Sequence, residues 1–136
     1  MKKTVGILSA IMVLLVCSFT VFAEGYRDNE IQPYFTGIQT YYADCSISGQ
    51  TATIIAGNYV RQGYTAGIYA ELQEKQSDGT WTAIKTYSQK PNTTSCTIDD
   101  STSIVSGRKY RGKFAFSSYK NGKLIETSTT YTPEKG

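Results

Sequence analysis

The sequence predicts a single all-β domain, an antiparallel β-sandwich of about seven strands. Three observations predict it. Apolar and polar residues alternate over most of the chain after residue 37, which is the two-residue period of a half-buried strand. Turn residues interrupt this alternation at roughly ten-residue intervals. Leucine is scarce after residue 23, where Leu72 and Leu124 are the only two, while tyrosine, threonine and serine abound.

Alternation places the first three strands at residues 39–48, 51–60 and 66–75. A turn around Gly49 separates the first two strands, and Gly63 ends the second, which is rich in threonine and isoleucine. The residues predicted to face the core from the first and third strands are Tyr41, Ala43, Cys45, Ile47, Ile68, Ala70 and Leu72.

The remaining four strands are predicted at residues 81–87, 94–98, 108–119 and 123–131. Asp78-Gly79 and Asn121-Gly122 are strong hairpin signals, because these residue types tolerate the positive φ that a tight two-residue turn demands. The residues predicted to face the core from the fifth and sixth strands are Cys96, Ile98, Tyr110, Gly112, Phe114 and Phe116.

The first 23 residues have the three parts of a secretory signal peptide. Lys2 and Lys3 form a basic start, residues 5–16 are a nearly unbroken apolar run, and the segment ends at Ala23. The run is too short and wrongly flanked for a stable membrane span. We therefore expect a secreted protein, extracellular or associated with the cell envelope, with no membrane span after signal removal. It would comprise a flexible lead-in at 24–37, the sandwich at 38–132 and a polar tail at 133–136.

Cys17 allows a second localisation of the protein. Cleavage just before this residue would produce a lipoprotein tethered to the membrane through the cysteine. Such a signal normally has a small residue directly before the cysteine, and Val16 occupies that position. Cleavage after Ala23 therefore fits better, and lipid anchoring at Cys17 is the minor alternative.

Charge disfavours a general nucleic-acid binder. The full chain has 14 Lys and Arg against 11 Asp and Glu, a net charge of +3. Lys2 and Lys3 leave with the signal, which contains no acid, so the remaining chain is close to neutral. We expect no nucleic-acid partner.

The sequence has no catalytic or metal-binding constellation. It contains no histidine, which excludes Ser-His-Asp and Cys-His nucleophile systems and histidine-bearing metal sites. It also lacks a Gly-rich phosphate loop and a Cys-x-x-Cys pair. The adjacent acids Asp99 and Asp100 are interpreted as turn residues at the end of a short strand, leading into Ser101. We predict a protein that is not an enzyme and has no cofactor.

Residues 104–110, Ile-Val-Ser-Gly-Arg-Lys-Tyr, resemble the segment that enters the sixth strand of fibronectin type III domains. That segment has an aliphatic residue, a Pro-Gly turn and a tyrosine in this order; here Ser106 stands in place of the proline. The resemblance implies a fibronectin type III-like or immunoglobulin-like sandwich over about residues 38–132. It also implies that Tyr110 is the corner tyrosine, with its ring in the core and its hydroxyl bonded to backbone.

Residues 68–87 are similar to small exported proteins of unknown function from Gram-positive bacteria. The shared pattern is an aliphatic third strand, a turn at Asp78-Gly79, and Trp81 opening the next strand, which continues over residues 83–87. This resemblance implies a bacterial, exported protein and no particular activity.

After signal removal the chain keeps two cysteines, Cys45 and Cys96. An even count in an exported chain favours one disulfide, and alternation points both side chains inward. In the fibronectin-like order, however, the first and fifth strands flank the second, so their backbones lie about 9.6 Å apart. A disulfide requires Cα atoms within about 7 Å. Two outcomes stay open, a disulfide or two small buried apolar residues.

Two features of the sequence are candidates for a binding surface. The first is a basic cluster in the last hairpin, which includes Lys109, Arg111, Lys113, Lys120 and Lys123. The first three of these alternate onto the presumed outward face and form a basic stripe there. Such a stripe suits anionic wall polymers, although a solvated strand face also uses charged residues. The second is a set of aromatic residues, Tyr42, Tyr64, Tyr69, Tyr119 and Trp81. Their rings would either stack on sugar rings or pack across neighbouring strands.

These observations predict an exported non-enzymatic module that binds a partner or has a structural role at or outside the cell envelope. One alternative is a binder of cell-wall glycan or anionic wall polymer, acting through the basic last hairpin and the exposed tyrosines. Another is a secreted toxin or inhibitor directed at another cell. No motif decides whether the partner is a cell-wall polymer or another protein.

Overall fold

All seven predicted segments are strands in the computed structural model, which describes residues 35–136, and those that pack into the core do so through one apolar face. The strands are β1 (Ile38–Ser48), β2 (Thr51–Val60), β3 (Thr65–Lys75), β4 (Trp81–Gln89), β5 (Ser95–Ser103), β6 (Tyr110–Lys120) and β7 (Lys123–Tyr131). The described residues contain no helix, and thus none that is long and apolar enough to cross a membrane.

The seven strands form two antiparallel sheets. The three-stranded sheet has the order β1-β2-β5, and the four-stranded sheet has the order β4-β3-β6-β7. The buried apolar residues of both sheets belong to one cluster. An all-β fold with a three-stranded and a four-stranded antiparallel sheet confirms the predicted fold class, a seven-stranded β-sandwich.

The core lies between the inner faces of the two sheets. Phe114 and Phe116 of β6 form its aromatic centre, and Phe116 stacks on Tyr41 of β1 with ring centres 4.4 Å apart. The predicted inward residues Ile68 and Leu72 of β3 are buried beside them. Burying one such side chain contributes about 1.5–3 kcal/mol to folding. The residues that alternation points inward are therefore the ones that pack the two sheets together.

Asn58 is a buried polar residue that links the two sheets. It lies on β2, and its Nδ2 donates hydrogen bonds to the backbone carbonyls of Gly67 on β3 at 3.0 Å and Ser117 on β6 at 2.9 Å. Its Oδ1 is buried and has no hydrogen-bond partner in the described residues, so the two donated bonds offset only part of the desolvation cost of the amide. The two bonds still fix the relative position of the sheets.

The two ends of the sandwich carry different loops. We call the end that carries the turn of the last hairpin, β6–β7, the hairpin end. It also comprises residues 35–37, the β2–β3 turn and the β4–β5 loop. The opposite end comprises the β1–β2 turn, the β3–β4 turn and the β5–β6 loop. Backbone hydrogen bonds join the loops of the hairpin end: Arg61 donates to Gly37 at 2.8 Å, and Ala66 donates to Thr93 at 2.8 Å.

The two predicted hairpin turns differ in structure. Asn121 and Gly122 have φ values of 54° and 77°, as the predicted two-residue turn requires. In the β3–β4 turn Gly79 has a φ of 89°, but Asp78 is not in the left-handed region. The Asp78 side chain instead accepts a hydrogen bond from the Thr80 N–H at 2.9 Å, so this turn is longer than the predicted two-residue turn.

β5 is longer than the sequence predicted. It continues to Ser103, and Asp99 and Asp100 pair with Ile55 and Ile54 of β2. The interpretation of these acids as turn residues is therefore wrong. β5 is an edge strand, so charged side chains on it remain in water while its backbone pairs with β2 on one side.

The segments flanking the sandwich are partly described. The predicted signal peptide at 1–23, Cys17 and most of the lead-in lie outside the described residues. Residues 36–38 of the entry into β1 donate backbone hydrogen bonds to the Glu126 carboxylate of β7. Beyond β7, Lys135 pairs with Tyr110, exchanging two backbone hydrogen bonds of 2.7 and 2.8 Å. The sandwich therefore fixes the described residues that precede β1 and those that follow β7 through these hydrogen bonds.

Candidate binding surface

Cys45 and Cys96 are both buried and both free. Of the two outcomes left open by the sequence, the structure therefore favours two small buried apolar residues over a disulfide. The physical reason is register: Cys45 on β1 lies opposite Ile54, whereas Cys96 on β5 lies opposite Asn58. This separates the cysteines by about 13 Å along the strands and about 9.6 Å across them. A disulfide cannot span that distance.

The structure places the Tyr110 ring fully in the core, next to the loop that precedes β6. Its hydroxyl accepts a hydrogen bond from the Val105 N–H at 2.9 Å and donates to Glu74 Oε2 at 2.9 Å. Burial alone would raise the pKa of Glu74, but hydrogen bonds from Tyr110 and Gln76 and the charge of Arg108 lower it. Tyr110 and Glu74 thus fix the β5–β6 loop onto β3.

The five basic residues of the predicted cluster in the last hairpin lie in two separate places. Lys109 directly precedes β6, and Arg111 and Lys113 lie near the start of that strand, towards the opposite end. Lys120 and Lys123 flank the β6–β7 turn at the hairpin end, paired with each other across it. Seven residues of extended strand separate Lys113 from Lys120, which is about 23 Å. The two groups therefore cannot contact one small ligand together.

Arg111 is the most constrained of these cations. Its guanidinium carbon lies 4.4 Å from the ring centre of Trp81 and 4.4 Å from that of Tyr131. Its Nε donates a hydrogen bond to Gln73 Oε1 at 2.7 Å. Trp81, Gln73, Arg111 and Tyr131 belong to β4, β3, β6 and β7, so this group of four, the arginine clamp, crosses the whole four-stranded sheet.

The arginine clamp leaves hydrogen-bonding capacity unused. Arg111 makes no ion pair with a described residue, and its two Nη groups donate no hydrogen bond to the part of the chain that the structure describes. A guanidinium carries five N–H donors, and Nε supplies only one of them. The clamp therefore presents an ordered cation with free donors.

Glu71 does not neutralise the clamp, because other donors satisfy it. Its carboxylate accepts hydrogen bonds from Gln73 at 2.7 Å and from the Tyr69 hydroxyl at 2.9 Å, and Lys113 lies opposite it on β6. Burial alone would raise the pKa of Glu71, but the Gln73 and Tyr69 hydrogen bonds and the Lys113 charge lower it. Glu71 therefore stays ionised and orients Gln73 towards Arg111.

A shallow cleft of about 410 Å³ adjoins the clamp at the opposite end. It lies between residues 75–77 and 107–109. Lys75 connects the cleft to the clamp, because its Nζ is 5.8 Å from the Trp81 ring centre. Lys75 is paired with Glu134 at 3.3 Å, whereas Lys109 has no ion pair with a described residue. Two cations without an ion pair to a described residue, Arg111 and Lys109, thus lie at the clamp and at the cleft beside it.

The predicted aromatic residues do not share one face. Tyr69 and Trp81 lie on the outer face of the four-stranded sheet, whereas Tyr42 covers Gly57 on the outer face of the other sheet. Tyr64 and Tyr119 lie at the hairpin end. Sequence reasoning missed Tyr131, which is 49% exposed and belongs to the clamp. Its position at the last residue of β7 gave no signal that it would reach Arg111.

We define the outer sheet face as the arginine clamp together with Tyr69, Glu71 and Lys113. In the described residues, no group of three or more histidine, cysteine, aspartate or glutamate side chains is arranged to hold a metal ion. The chemistry that the face offers is cationic and aromatic: hydrogen-bond donors for anions, and partly exposed rings for flat apolar surfaces.

Comparison with known proteins does not assign the chain to a family. No family model matches the chain, and no curated protein matches it. Among solved structures, the chain is similar to a Bacteroides fragilis protein whose description reads "putative beta-galactosidase", with a TM-score of 0.35 and 12% identity. The likeness covers 67% of this chain and 15% of that one, so this chain spans a small part of the other protein. A likeness at this TM-score carries no argument about fold or function.

Proposed function

We propose that this protein is an exported, non-enzymatic binding module of the bacterial cell envelope, and that its outer sheet face binds an anionic, sugar-bearing polymer of the cell wall. The observation that carries the proposal is the state of Arg111. Its guanidinium is held between Trp81 and Tyr131 and has free Nη donors. The secretory signal and the resemblance to exported proteins of Gram-positive bacteria support the location.

An ordered arginine is well suited to an anionic group. Planar guanidinium groups bind phosphate or carboxylate through two parallel hydrogen bonds. Because the two rings and Gln73 already fix Arg111, little side-chain entropy would be lost on binding. Lys113 and Lys109 lie close in the chain and make no ion pair with a described residue, so they extend the positive field.

Aromatic exposure favours sugar rings on the same ligand. Tyr69 is 41% exposed and Tyr131 is 49% exposed, both on the outer sheet face. Exposed planar rings pack against the flat apolar faces of sugars, while their hydroxyls remain in water. A polymer that carries both anionic groups and sugars would therefore use both chemistries of this face.

The test is sedimentation of the chain from Glu24 with isolated bacterial cell walls at low and high salt. The double variant Lys109→Ser, Lys113→Ser removes Lys113 from the outer sheet face together with the neighbouring cation Lys109, which directly precedes β6. The double variant Lys120→Ser, Lys123→Ser removes the same charge at the hairpin end and is the matched control. We expect sedimentation at low salt that is lost at high salt, because exposed charges are screened.

The variants decide where the polymer binds. We expect the Lys109 and Lys113 variant to lose most of the sedimentation and the Lys120 and Lys123 variant to keep it. No sedimentation of the unchanged chain at low salt would contradict the proposed function. Equal losses in both variants would also contradict it, because binding would then depend on total charge rather than on the outer sheet face.

A further inference from the structure

The hairpin end carries a concentration of unpaired positive charge. Its exposed basic residues are Arg61, Lys90, Lys120 and Lys123, and none makes an ion pair with a described residue. The one acid in the described residues of this end (35–38, 60–66, 89–95 and 119–126) is Glu126. Its carboxylate is occupied by the backbone N–H groups of residues 36–38 and by the Ser118 hydroxyl. The end therefore attracts anions.

Two adjacent aliphatic residues are exposed beside these charges. Leu124 is 54% exposed and Ile125 is 40% exposed, directly after Lys123. A register shift lets Leu124 pair with Tyr119 and Glu126 pair with Ser118, which leaves Ile125 without a partner on β6. Neither aliphatic side chain belongs to the core cluster. Exposed aliphatic residues elsewhere in the described chain, such as Val105, occur singly and need no explanation.

Tyrosine rings support two of the lysines. The Nζ of Lys90 lies 4.1 Å from the ring centre of Tyr119, and the Nζ of Lys120 lies 5.2 Å from that of Tyr64. Both rings are partly exposed. Rings with an apolar body and a polar hydroxyl favour the boundary between water and hydrocarbon in a membrane. The end thus combines basic, aromatic and aliphatic groups.

We propose that the hairpin end docks on the surface of an anionic lipid bilayer. The four basic residues contact lipid phosphates, and Leu124 and Ile125 enter the boundary between head groups and acyl chains. A wall polymer would use the cations but not the aliphatic pair, and two aliphatic side chains are too small a core for a stable protein interface.

The test measures binding of the chain from Glu24, which contains every described strand, to two kinds of vesicle. One kind is made of zwitterionic phospholipid, and the other contains an anionic phospholipid as well. Three double variants are compared. Leu124→Ser, Ile125→Ser removes the aliphatic pair, and Lys120→Ser, Lys123→Ser removes two cations. Lys109→Ser, Lys113→Ser is the control with the same charge change at a different place. Circular dichroism checks that each variant folds.

We expect the unchanged chain to bind the anionic vesicles and not the zwitterionic ones. Removing Lys120 and Lys123 is expected to weaken binding roughly 30-fold, since each basic residue near an anionic surface contributes about 1 kcal/mol. Removing the aliphatic pair is expected to weaken it at least tenfold at unchanged charge, by about 0.8 kcal/mol per buried CH2. The Lys109 and Lys113 variant is expected to bind almost normally.

Three results would overturn the proposal. They are absence of binding to anionic vesicles, equal weakening by the control variant, and no effect of the aliphatic substitutions. The proposed wall-binding face uses other residues, so the two proposals fail separately. Loss of wall sedimentation would follow the Lys109 and Lys113 variant, and loss of vesicle binding would follow the Lys120 and Lys123 variant.

Discussion

Replacing Glu126 with glutamine is expected to lower the free energy of unfolding by about 2–3 kcal/mol. The Glu126 carboxylate accepts four hydrogen bonds, from the backbone N–H groups of Thr36, Gly37 and Ile38 and from the Ser118 hydroxyl. Glutamine has one accepting oxygen, so its NH2 group would face one of these donors. The other three bonds would lose their charge assistance, which is worth about 1 kcal/mol for each bond before non-additivity is considered.

The same substitution is expected to change the pH dependence of stability. Burial alone would raise the pKa of Glu126, but hydrogen bonds from Ile38, Thr36, Gly37 and Ser118 outweigh burial and lower it. A carboxyl with a lowered folded-state pKa contributes stability above its unfolded pKa of about 4.3, and loses it as the pH falls through the folded pKa. The stability difference between the two proteins is therefore complete at neutral pH and shrinks in acid.

Urea unfolding at neutral and at a series of acidic pH values measures this difference. Trp81 is the only tryptophan of the chain, so its fluorescence reports unfolding. Glu134→Gln is the control, because it breaks an exposed ion pair with Lys75 at 3.3 Å and should cost less than about 0.5 kcal/mol. A Glu126→Gln cost as small as that of the control, or a cost that persists undiminished in acid, would refute the reasoning.

Three further predictions concern stability and reactivity. Arg111→Lys keeps the charge but loses the stacked plane and the Nε hydrogen bond, so thermal unfolding should show a loss of about 1–2 kcal/mol; an unchanged melting temperature would show that the arginine clamp does not stabilise the sheet. Asn58→Ala removes two hydrogen bonds to buried carbonyls but also a buried Oδ1 that has no partner in the described residues. Denaturant unfolding should therefore show a loss of about 1–3 kcal/mol, whereas a loss below about 0.5 kcal/mol would contradict the link between sheets. Burial raises the pKa of the Cys45 thiol, and burial raises that of Cys96 to about 11. A water-soluble thiol reagent at neutral pH should therefore modify neither cysteine until the chain from Glu24 is unfolded; rapid modification of the folded chain would contradict this.

Most of the fold could be predicted because it depends on local alternation. Phe114 and Phe116 face the core because they occupy alternate positions on β6, which the sequence shows directly. The second half of β5 could not be predicted in this way. Asp99 and Asp100 have low strand propensity, and their strand conformation depends on pairing with β2, which is a long-range contact.

The candidate surface could be predicted only in part. Lys109, Arg111 and Lys113 were found from their alternation, but the arginine clamp requires Trp81 and Tyr131, which are fifty residues apart in the chain. Their approach depends on the order and register of four strands, which a single sequence does not encode locally. The split of the basic residues into two groups has a simpler cause, since β6 is long enough to carry them to both ends of the sandwich.

The most direct test of the proposed binding face is a fluorescence titration of the chain from Glu24 with a soluble anionic polymer released from bacterial cell walls. Trp81 contacts Arg111 and is the only tryptophan, so its emission reports on the clamp itself. We predict a saturable change at low salt that disappears at high salt and in the Lys109→Ser, Lys113→Ser variant, but persists in the Lys120→Ser, Lys123→Ser variant. An emission that does not respond to the polymer at low salt, or a response that is the same in both variants, would contradict the assignment of this face.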